Sequence, residues 1–424
     1  MEIAIYFKFI LTFGLILLAA RMGGELFERY LKQPPVLGEL IAGIIISPFA
    51  LGGLIHDPII LHFATIQGAF GLQEFNVMEV ISEIAVVVLL FVAGVETNVG
   101  AFLKQGKTGA LVAVGGVIFP FIFGYFVTMW LAPETGIAGW LFMGAVLTAT
   151  SIGLTVRILM EMGKLQTQAG TTILVGAVID DIIGIVILSI VVGISAATKF
   201  GGEISITHVC LNALKIGAIG FAVWLGLLII GVRFNKYISR FILSPFKKSG
   251  TIPIFALIIG FIIAYLLTLV GLHPVVGAYV AGLMFAATAE KEDILDKTRP
   301  IMLFLAPFFF CYLGMQVDTR LFWGGAIIAI VLIVVAVLGK AIGCYIPARF
   351  AGKMSHTDSM IVGIGMVPRG EVGLIIAGAG LLAGAINRDL FGAAVAVSVV
   401  TTLITPAVLK PFFKKHSKPV TENA

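Results

Sequence analysis

Two adjacent carboxylates stand in the middle of an apolar stretch: Asp180 and Asp181, within Val175-Gly176-Ala177-Val178-Ile179-Asp180-Asp181-Ile182-Ile183-Gly184. An ionised carboxylate at bilayer depth costs about 2.5–3.5 kcal/mol on insertion scales, so a pair of them points to chemistry. Burial and mutual repulsion favour the protonated form of at least one. Such a group can trade a proton for a cation near neutral pH. Neighbours on a helix project about 100° apart, so the two cannot share one ligand sphere alike. One can face an ion cavity while the other faces a basic partner.

The candidate partner is Lys340, in Val337-Leu338-Gly339-Lys340-Ala341, which follows a long charge-free stretch and lies too deep to snorkel easily. A buried lysine keeps its proton only beside a carboxylate. Two polar interruptions, Thr148-Ala149-Thr150-Ser151 and Pro368-Arg369-Gly370-Glu371, break otherwise apolar segments. Unwound backbone there offers carbonyls to a cation. Arg369 and Glu371 flank Gly370, and a salt bridge between them would hold the second break open. The five deep charges, Lys340, Arg369, Asp180, Asp181 and Glu371, sum to −1, which leaves a place for one monovalent cation or a proton. Glu39, Glu83 and Glu96 sit nearer segment ends. Glu39 is expected to cap a helix or line a dimer face, and His208 and His273 to be structural.

The elements that must position these residues follow from composition. Of 424 residues, 59% are hydrophobic and 12% charged, with a mean hydropathy of +1.09. Soluble domains carry about 25% charged residues, so the chain reads as an all-α polytopic membrane protein. Residues 108–133 and 135–156 hold no Asp, Glu, Lys or Arg. Residues 249–289 hold none either, and Gly271-Leu272-His273-Pro274 splits that stretch in two. The pattern predicts 13 transmembrane helices: 4–21, 35–55, 82–99, 107–131, 137–159, 168–196, 207–232, 251–270, 273–289, 301–317, 322–346, 358–383 and 388–412, each near the ~20 residues a bilayer requires. The first is expected to be a true span and not a cleaved signal. Most Lys and Arg, Arg157 among them, fall in alternate loops, which puts the N-terminus outside and the C-terminus in the cytoplasm. The basic loops serve orientation and anionic lipid contact, and no nucleic-acid partner is expected. Cys210, Cys311 and Cys344 read as apolar filler. Gly363-Ile364-Gly365 follows no strand and is not a nucleotide loop. No P-loop, catalytic triad or metal-ligand spacing is present.

The chain repeats itself. Pro35-Val36-Leu37-Gly38-Glu39-Leu40-Ile41-Ala42-Gly43-Ile44 matches Pro274 to Leu283 at five of ten positions, offset by 239. Phe91-Val92-Ala93-Gly94 aligns more weakly with Cys311-Tyr312-Leu313-Gly314 at an offset of 220, the difference being absorbed by a longer connection around 56–79. The offset of 220 carries Thr150-Ser151 onto Gly370-Glu371. Paired segments run in opposite directions in the expected topology. Inverted-topology repeats with two crossing discontinuous helices are the architecture of secondary transporters.

Taken together, Pro35-Val36-Leu37-Gly38-Glu39, the Thr148–Ser151 break, Asp180-Asp181, Gly339-Lys340 and Pro368-Arg369-Gly370-Glu371 resemble the monovalent cation:proton antiporter superfamily, and most closely its NapA-type sodium/proton antiporters. The resemblance covers roughly residues 1–412. It implies a NapA/NhaA-like fold in one membrane unit (1–412). Ion-translocating core helices are expected at about 82–196 and 301–412. Dimerisation helices are expected at about 1–55 and 207–289, and 413–424 would be a cytoplasmic tail. It implies a homodimer in a prokaryotic plasma membrane, and a role in pH homeostasis and sodium tolerance. It implies that Asp181 binds ion and proton alternately and that Asp180 pairs with Lys340 in one state. On this reading Asp181, with Thr150, Ser151 and backbone carbonyls, holds Na+ or Li+, the substrates beside H+, and no cofactor is needed. The aspartate pair resembles electrogenic members of the superfamily, whereas Arg369 resembles an arginine of its electroneutral branch.

Potassium efflux-type K+/H+ antiporters share the proline-glycine stretches and are the alternative; those relatives usually add a nucleotide-binding domain, which is not expected here. An intramembrane aspartyl protease needs carboxylates from two segments facing one water, which adjacent residues on one helix do not supply. A cation channel would not need the inverted repeat.

Overall fold

The computed structural model describes residues 2–51, 65–66, 75–200, 206–243, 250–322 and 325–415. Most of the connection expected around 56–79, the end of the segment expected at 35–55, and tail residues 416–424 lie outside the described residues. The helices are α1 (Glu2–Arg29), α2 (Pro35–Ile46), α3 (Val77–Glu96), a short α4 (Val99–Lys104), α5 (Gly106–Leu131), α6 (Gly136–Thr148), α7 (Ile152–Glu161), α8 (Gln168–Phe200), α9 (Ile206–Arg233), α10 (Ile252–Thr268), α11 (Pro274–Ala286), α12 (Lys291–Met315), α13 (Ala326–Phe350), α14 (His356–Gly365), α15 (Glu371–Leu382) and α16 (Arg388–Lys415). A two-residue antiparallel pairing, Thr65–Ile66 with Phe75–Asn76, is the sole β-structure among the described residues.

Nine helical stretches among the described residues are long and apolar enough to cross a membrane, the interrupted Pro133–Glu161 counted as one. Four shorter apolar helices accompany them: α2, α10, α11 and α15. Helix α2 has 12 residues and stops at Ile46, because Pro48 disfavours helical backbone in the residue before it. Two helices overrun their expected ends in polar directions. Helix α1 continues to Arg29, where Arg29 pairs with Glu25 and Arg21 donates to the Leu303 carbonyl. Helix α12 starts at Lys291, its first turn carrying Glu292 and Asp293 at the positive end of the helix dipole.

Apolar side chains face outward. On α13, Ile327, Ile330, Val334, Leu338, Ile342 and Ile346 form an exposed stripe at helical spacing, while Ala329, Leu332, Ala336, Lys340 and Gly343 are buried on the other side. A hydrophobic outside with a lysine inside suits lipid and not water.

The helices pack in two groups. Helices α1, α2, α3, α10, α11 and α12 form one; α5, α6, α8, α13, α14, α15 and α16 form the other; α7 touches both and α9 lies against α8 and α11. Helices α3 and α12 therefore pack with the set expected for dimerisation, not with the core set in which 82–99 and 301–317 were expected. Close glycine crossings hold them there. A Cβ on Gly43 of α2 would run into the Cys311 carbonyl of α12, and one on Gly314 into that of Leu40. A Cβ on Gly282 of α11 would run into the Phe91 carbonyl of α3, and one on Gly94 into that of Tyr279. The two crossings correspond residue for residue through the offsets of 239 and 220. Each first-half helix of the repeat packs on a second-half helix.

Overpacking such a crossing costs about 1–3 kcal/mol. A Gly43→Ala protein should lose about that much stability in detergent and melt at a lower temperature. Gly14→Ala, where a Cβ meets nothing within 4 Å, should be neutral or slightly stabilising. Equal melting of the two variants would show that the crossing is not tight.

Candidate functional site

The two interruptions fall as expected and meet. Helix α6 ends at Thr148 and α7 starts at Ile152; α14 ends at Gly365 and α15 starts at Glu371. The Ser151 amide donates to the Pro368 carbonyl at 2.9 Å, which joins one break to the other. Thr155 Oγ1 donates to the Gly365 carbonyl (3.1 Å) and Thr150 Oγ1 to that of Met366 (3.3 Å). The end of α14 is thus satisfied by hydroxyls from the first break and from α7. Ser151 caps α7, accepting from the Leu154 amide, and donates to Glu371 Oε2 at 3.4 Å.

The end of α6 is treated differently. Its last carbonyls, where the helix dipole is negative, receive two buried cations. Lys340 Nζ donates to the Thr148 carbonyl at 2.7 Å, and Arg369 Nη1 to that of Ala149 at 2.8 Å. Arg369 Nη2 reaches the Ala336 carbonyl at 3.4 Å. The expected salt bridge between Arg369 and Glu371 is not made. The two side chains leave the Gly370 break in different directions, and the arginine takes the carbonyl ends while the carboxylate meets Ser151. Thr401 and Thr402 of α16 fix the arginine's backbone: the Arg369 amide donates to Thr401 Oγ1, and Thr402 Oγ1 donates to the Arg369 carbonyl. Sequence reasoning passed over both threonines, whose one signal was polar character within a span.

The two aspartates divide as their 100° separation requires. Asp180 Oδ1 lies 2.8 Å from Lys340 Nζ, and both side chains are within 1% of full burial. Asp181, one residue on, is buried at 7% exposure and has no hydrogen bond or ion pair among the described residues. The charges that act on it are Asp180, Glu371 and Lys340. No hydrogen bond joins Thr150 to Asp181; the hydroxyl proton of Thr150 is spent on Met366, which leaves its lone pairs available. The structure so brings Asp180 to Lys340, and brings Thr150, Ser151, Arg369 and Glu371 to the meeting of the breaks.

One charged cluster was missed. Arg157, expected at the cytoplasmic end of the span 137–159 among the orienting charges, is 4% exposed and lies inside α7. Its Nη2 is 3.4 Å from Oε1 of Glu39, itself 1% exposed on α2, and its Nε is 2.6 Å from Glu161 Oε1. Glu39 therefore neither caps α2, whose N-cap is Pro34, nor faces outward. The legible signal was the i,i+4 spacing of Arg157 and Glu161 on a helix end. His273 stands at the start of α11 without a capping hydrogen bond, and His208 is exposed. The cysteines are free, Cys344 donating weakly to the Val112 carbonyl.

A fold of two interrupted helices meeting beside buried carboxylates defines a class of ion-coupled membrane carriers. Residues 14–415 match the family described as sodium/hydrogen exchanger, transmembrane, and the chain belongs to that family. It is 34% identical to the high-affinity Na+/H+ antiporter NhaS3 of Synechocystis, over 96% of this chain and 90% of that one. It is 35% identical to the Na+/H+-K+ antiporter GerN of Bacillus cereus, over 97% and 98%. The solved structure of the sodium proton antiporter MjNhaP1 of Methanocaldococcus jannaschii superposes with a TM-score of 0.67 at 16% identity, covering 97% of each chain, and shares the fold. The chain belongs to a family of transporters, not of enzymes.

The ion pair and the free carboxylate should respond oppositely to neutralisation. Removing one partner of a buried pair costs about 3–5 kcal/mol, so Asp180→Asn should lower the melting temperature sharply, and adding Lys340→Met should recover most of the loss. Asp181→Asn should leave stability unchanged or raise it. Equal losses from Asp180→Asn and Asp181→Asn would mean that the carboxylates share one structural role.

Proposed function

We propose that this protein exchanges Na+ or Li+ for H+ across a prokaryotic plasma membrane by alternating access, with Asp181 binding ion and proton in turn. The observation that carries the reading is the division of the aspartate pair: Asp180 is neutralised by Lys340, while Asp181 is buried without a partner beside the meeting of the breaks. Lys340 and Arg369 occupy the carbonyls at the end of α6, so the ion's ligands are the Asp181 carboxylate, the Thr150 hydroxyl oxygen, and backbone oxygens of the second break. Ser151 and Glu371 orient the crossing.

In this scheme Asp181 loses its proton and takes the cation. Protonation from the acidic side expels the cation, and the group containing α5, α6, α8 and α13–α16 then shifts against the group containing α1–α3 and α10–α12. The fold crosses the membrane thirteen times, with α2, α10 and α11 as short spans, in two halves of inverted topology. The glycine crossings related by the two offsets support that symmetry. The N-terminus lies outside and the C-terminus in the cytoplasm, and two copies assemble through the α1–α3 group. K+ is a second cation to test, because the Bacillus cereus relative carries K+ in its name.

The test is proton release from proteoliposomes, read with a pH dye on adding Na+, Li+ or K+. The unaltered protein should respond to Na+ and Li+, and Asp181→Asn should not. Because cation and proton compete for one carboxylate, acid favours the proton. Apparent KM for Na+ should rise about tenfold for each pH unit below the ionisation point of that carboxyl. An Asp181→Asn protein that still exchanges, or a KM for Na+ that is flat with pH, would sink the reading.

A further inference from the structure

The Glu39–Arg157 contact lies where the two helix groups meet. Glu39 belongs to α2, which the Gly43–Cys311 crossing binds to α12. Arg157 belongs to α7, which the Ser151–Pro368 and Thr155–Gly365 hydrogen bonds tie to the second break. Beside the pair is a cavity of about 350 Å³. Its walls come from both sides of the contact: Arg21, Glu39 and Met302 from one group, Arg157, Met160 and Glu161 from α7.

As a fastening the pair is poor. Its 3.4 Å separation is long for a guanidinium on a carboxylate. Oε2 of Glu39 is buried and has no hydrogen-bond partner. A well-packed apolar pair would hold two buried surfaces at lower cost, and buried ion pairs are best attested where they fix one arrangement against another. The arginine is also shared. Glu161 Oε1 stays 2.6 Å from Arg157 Nε on the same helix, so α7 can leave α2 without stranding the guanidinium. Glu39 is left with no ion pair, next to a cavity that can wet it, while Arg157 gives up its hydrogen bond and keeps the ion pair to Glu161.

We propose that Glu39 and Arg157 form a latch between the two groups, closed in this conformation and broken when the adjoining cavity widens to admit the ion. Arg157 moves with α7 and keeps Glu161; Glu39 stays with α2. The latch positions the ion path and touches no ion. It rests on the alternating-access reading above.

The experiment uses the full-length protein carrying Met160→Cys, a half-buried residue of the cavity wall, in vesicles of both orientations. Labelling by a membrane-impermeant maleimide is timed, and the background from native cysteines is subtracted with the protein that lacks Met160→Cys. The isosteric Glu39→Gln should speed labelling from one side on the order of fivefold or more, the lower range of conformational coupling. The exchanged pair, Glu39→Arg with Arg157→Glu, should return the rate toward that of the parent. An unchanged rate in a folded Glu39→Gln protein overturns the latch, and so does a fast rate that the exchanged pair fails to slow. Melting temperature separates mere destabilisation from opening, since a structural role would lower it without one-sided labelling. Proton release on Na+ is measured in the same vesicles. Its absence with Glu39 intact would sink the exchange reading, while the labelling response judges the latch on its own.

Discussion

The meeting of the two interrupted helices depends on how charge is compensated away from water. Asp180, Asp181, Lys340 and Arg369 are buried there among packed helices, and each unpaired charge is expensive. The broken helix α6 supplies much of the compensation. Its C-terminal carbonyls at Thr148 and Ala149 face inward because the helix stops, and Lys340 and Arg369 take them. Lys340 then has one strong direction left, toward Asp180. Lys340 and Asp180 form a neutral pair at the break, Arg369 adds one positive charge held by carbonyl oxygens, and the second aspartate stands outside the ion pair. Were α6 continuous, those carbonyls would be spent inside the helix and both cations would lose their acceptors.

The same molecule uses a different principle where it must not move. Helices α2 with α12 and α3 with α11 touch at backbone distance through paired glycines. Close approach gives dispersion contact over a large surface, the main source of helix association in lipid. No such crossing joins α7 to α2 or α3. The contact there includes a long ion pair and borders a cavity. A surface joined by backbone contact resists sliding, because any shift brings carbonyl against Cα. A surface joined by apolar side chains, Val86 and Leu90 against Gly153 among them, and by an ion pair has no interlocked backbone to resist sliding once the pair is replaced by water.

Much of this was legible in the sequence, and the limits have physical causes. Both breaks were visible because Thr-Ser and Pro-Arg-Gly-Glu contradict the hydropathy around them at one offset. The aspartate pair and Lys340 were visible because depth in a charge-free stretch is itself a signal. The directions of side chains were not. Arg369 and Glu371 are two residues apart, which suggests a pair, but a break has no helical period from which to read orientation. Arg157 failed for another reason. A basic residue two positions from the end of an expected span looks like an interface anchor, and only the arrival of Glu39, far away in sequence, turns it into a buried charge. The packing of α3 and α12 was not legible because adjacency in sequence favours neighbouring helices, whereas the glycines that bind them lie in the other half of the repeat.

Adjacency of the two aspartates is the feature that makes the arrangement work. A single carboxylate paired with Lys340 would hold the helices together, but a cation would have to displace an ammonium to bind it. A single free carboxylate would bind the cation but leave Lys340 buried with its charge uncompensated, to be lost as a proton. Two carboxylates on separate helices could share the tasks, yet their spacing would change whenever those helices moved. Consecutive residues on α8 cannot change their spacing. Their side chains diverge by the fixed angle of the helix, so one remains on Lys340 while the other points away from it. In the exchange proposed above, a cation on Asp181 leaves the Asp180–Lys340 pair in place. A proton and a monovalent cation leave the same charge on Asp181 in that exchange, so one replaces the other without creating a net charge in the packed interior, and that is the condition for coupling their movements.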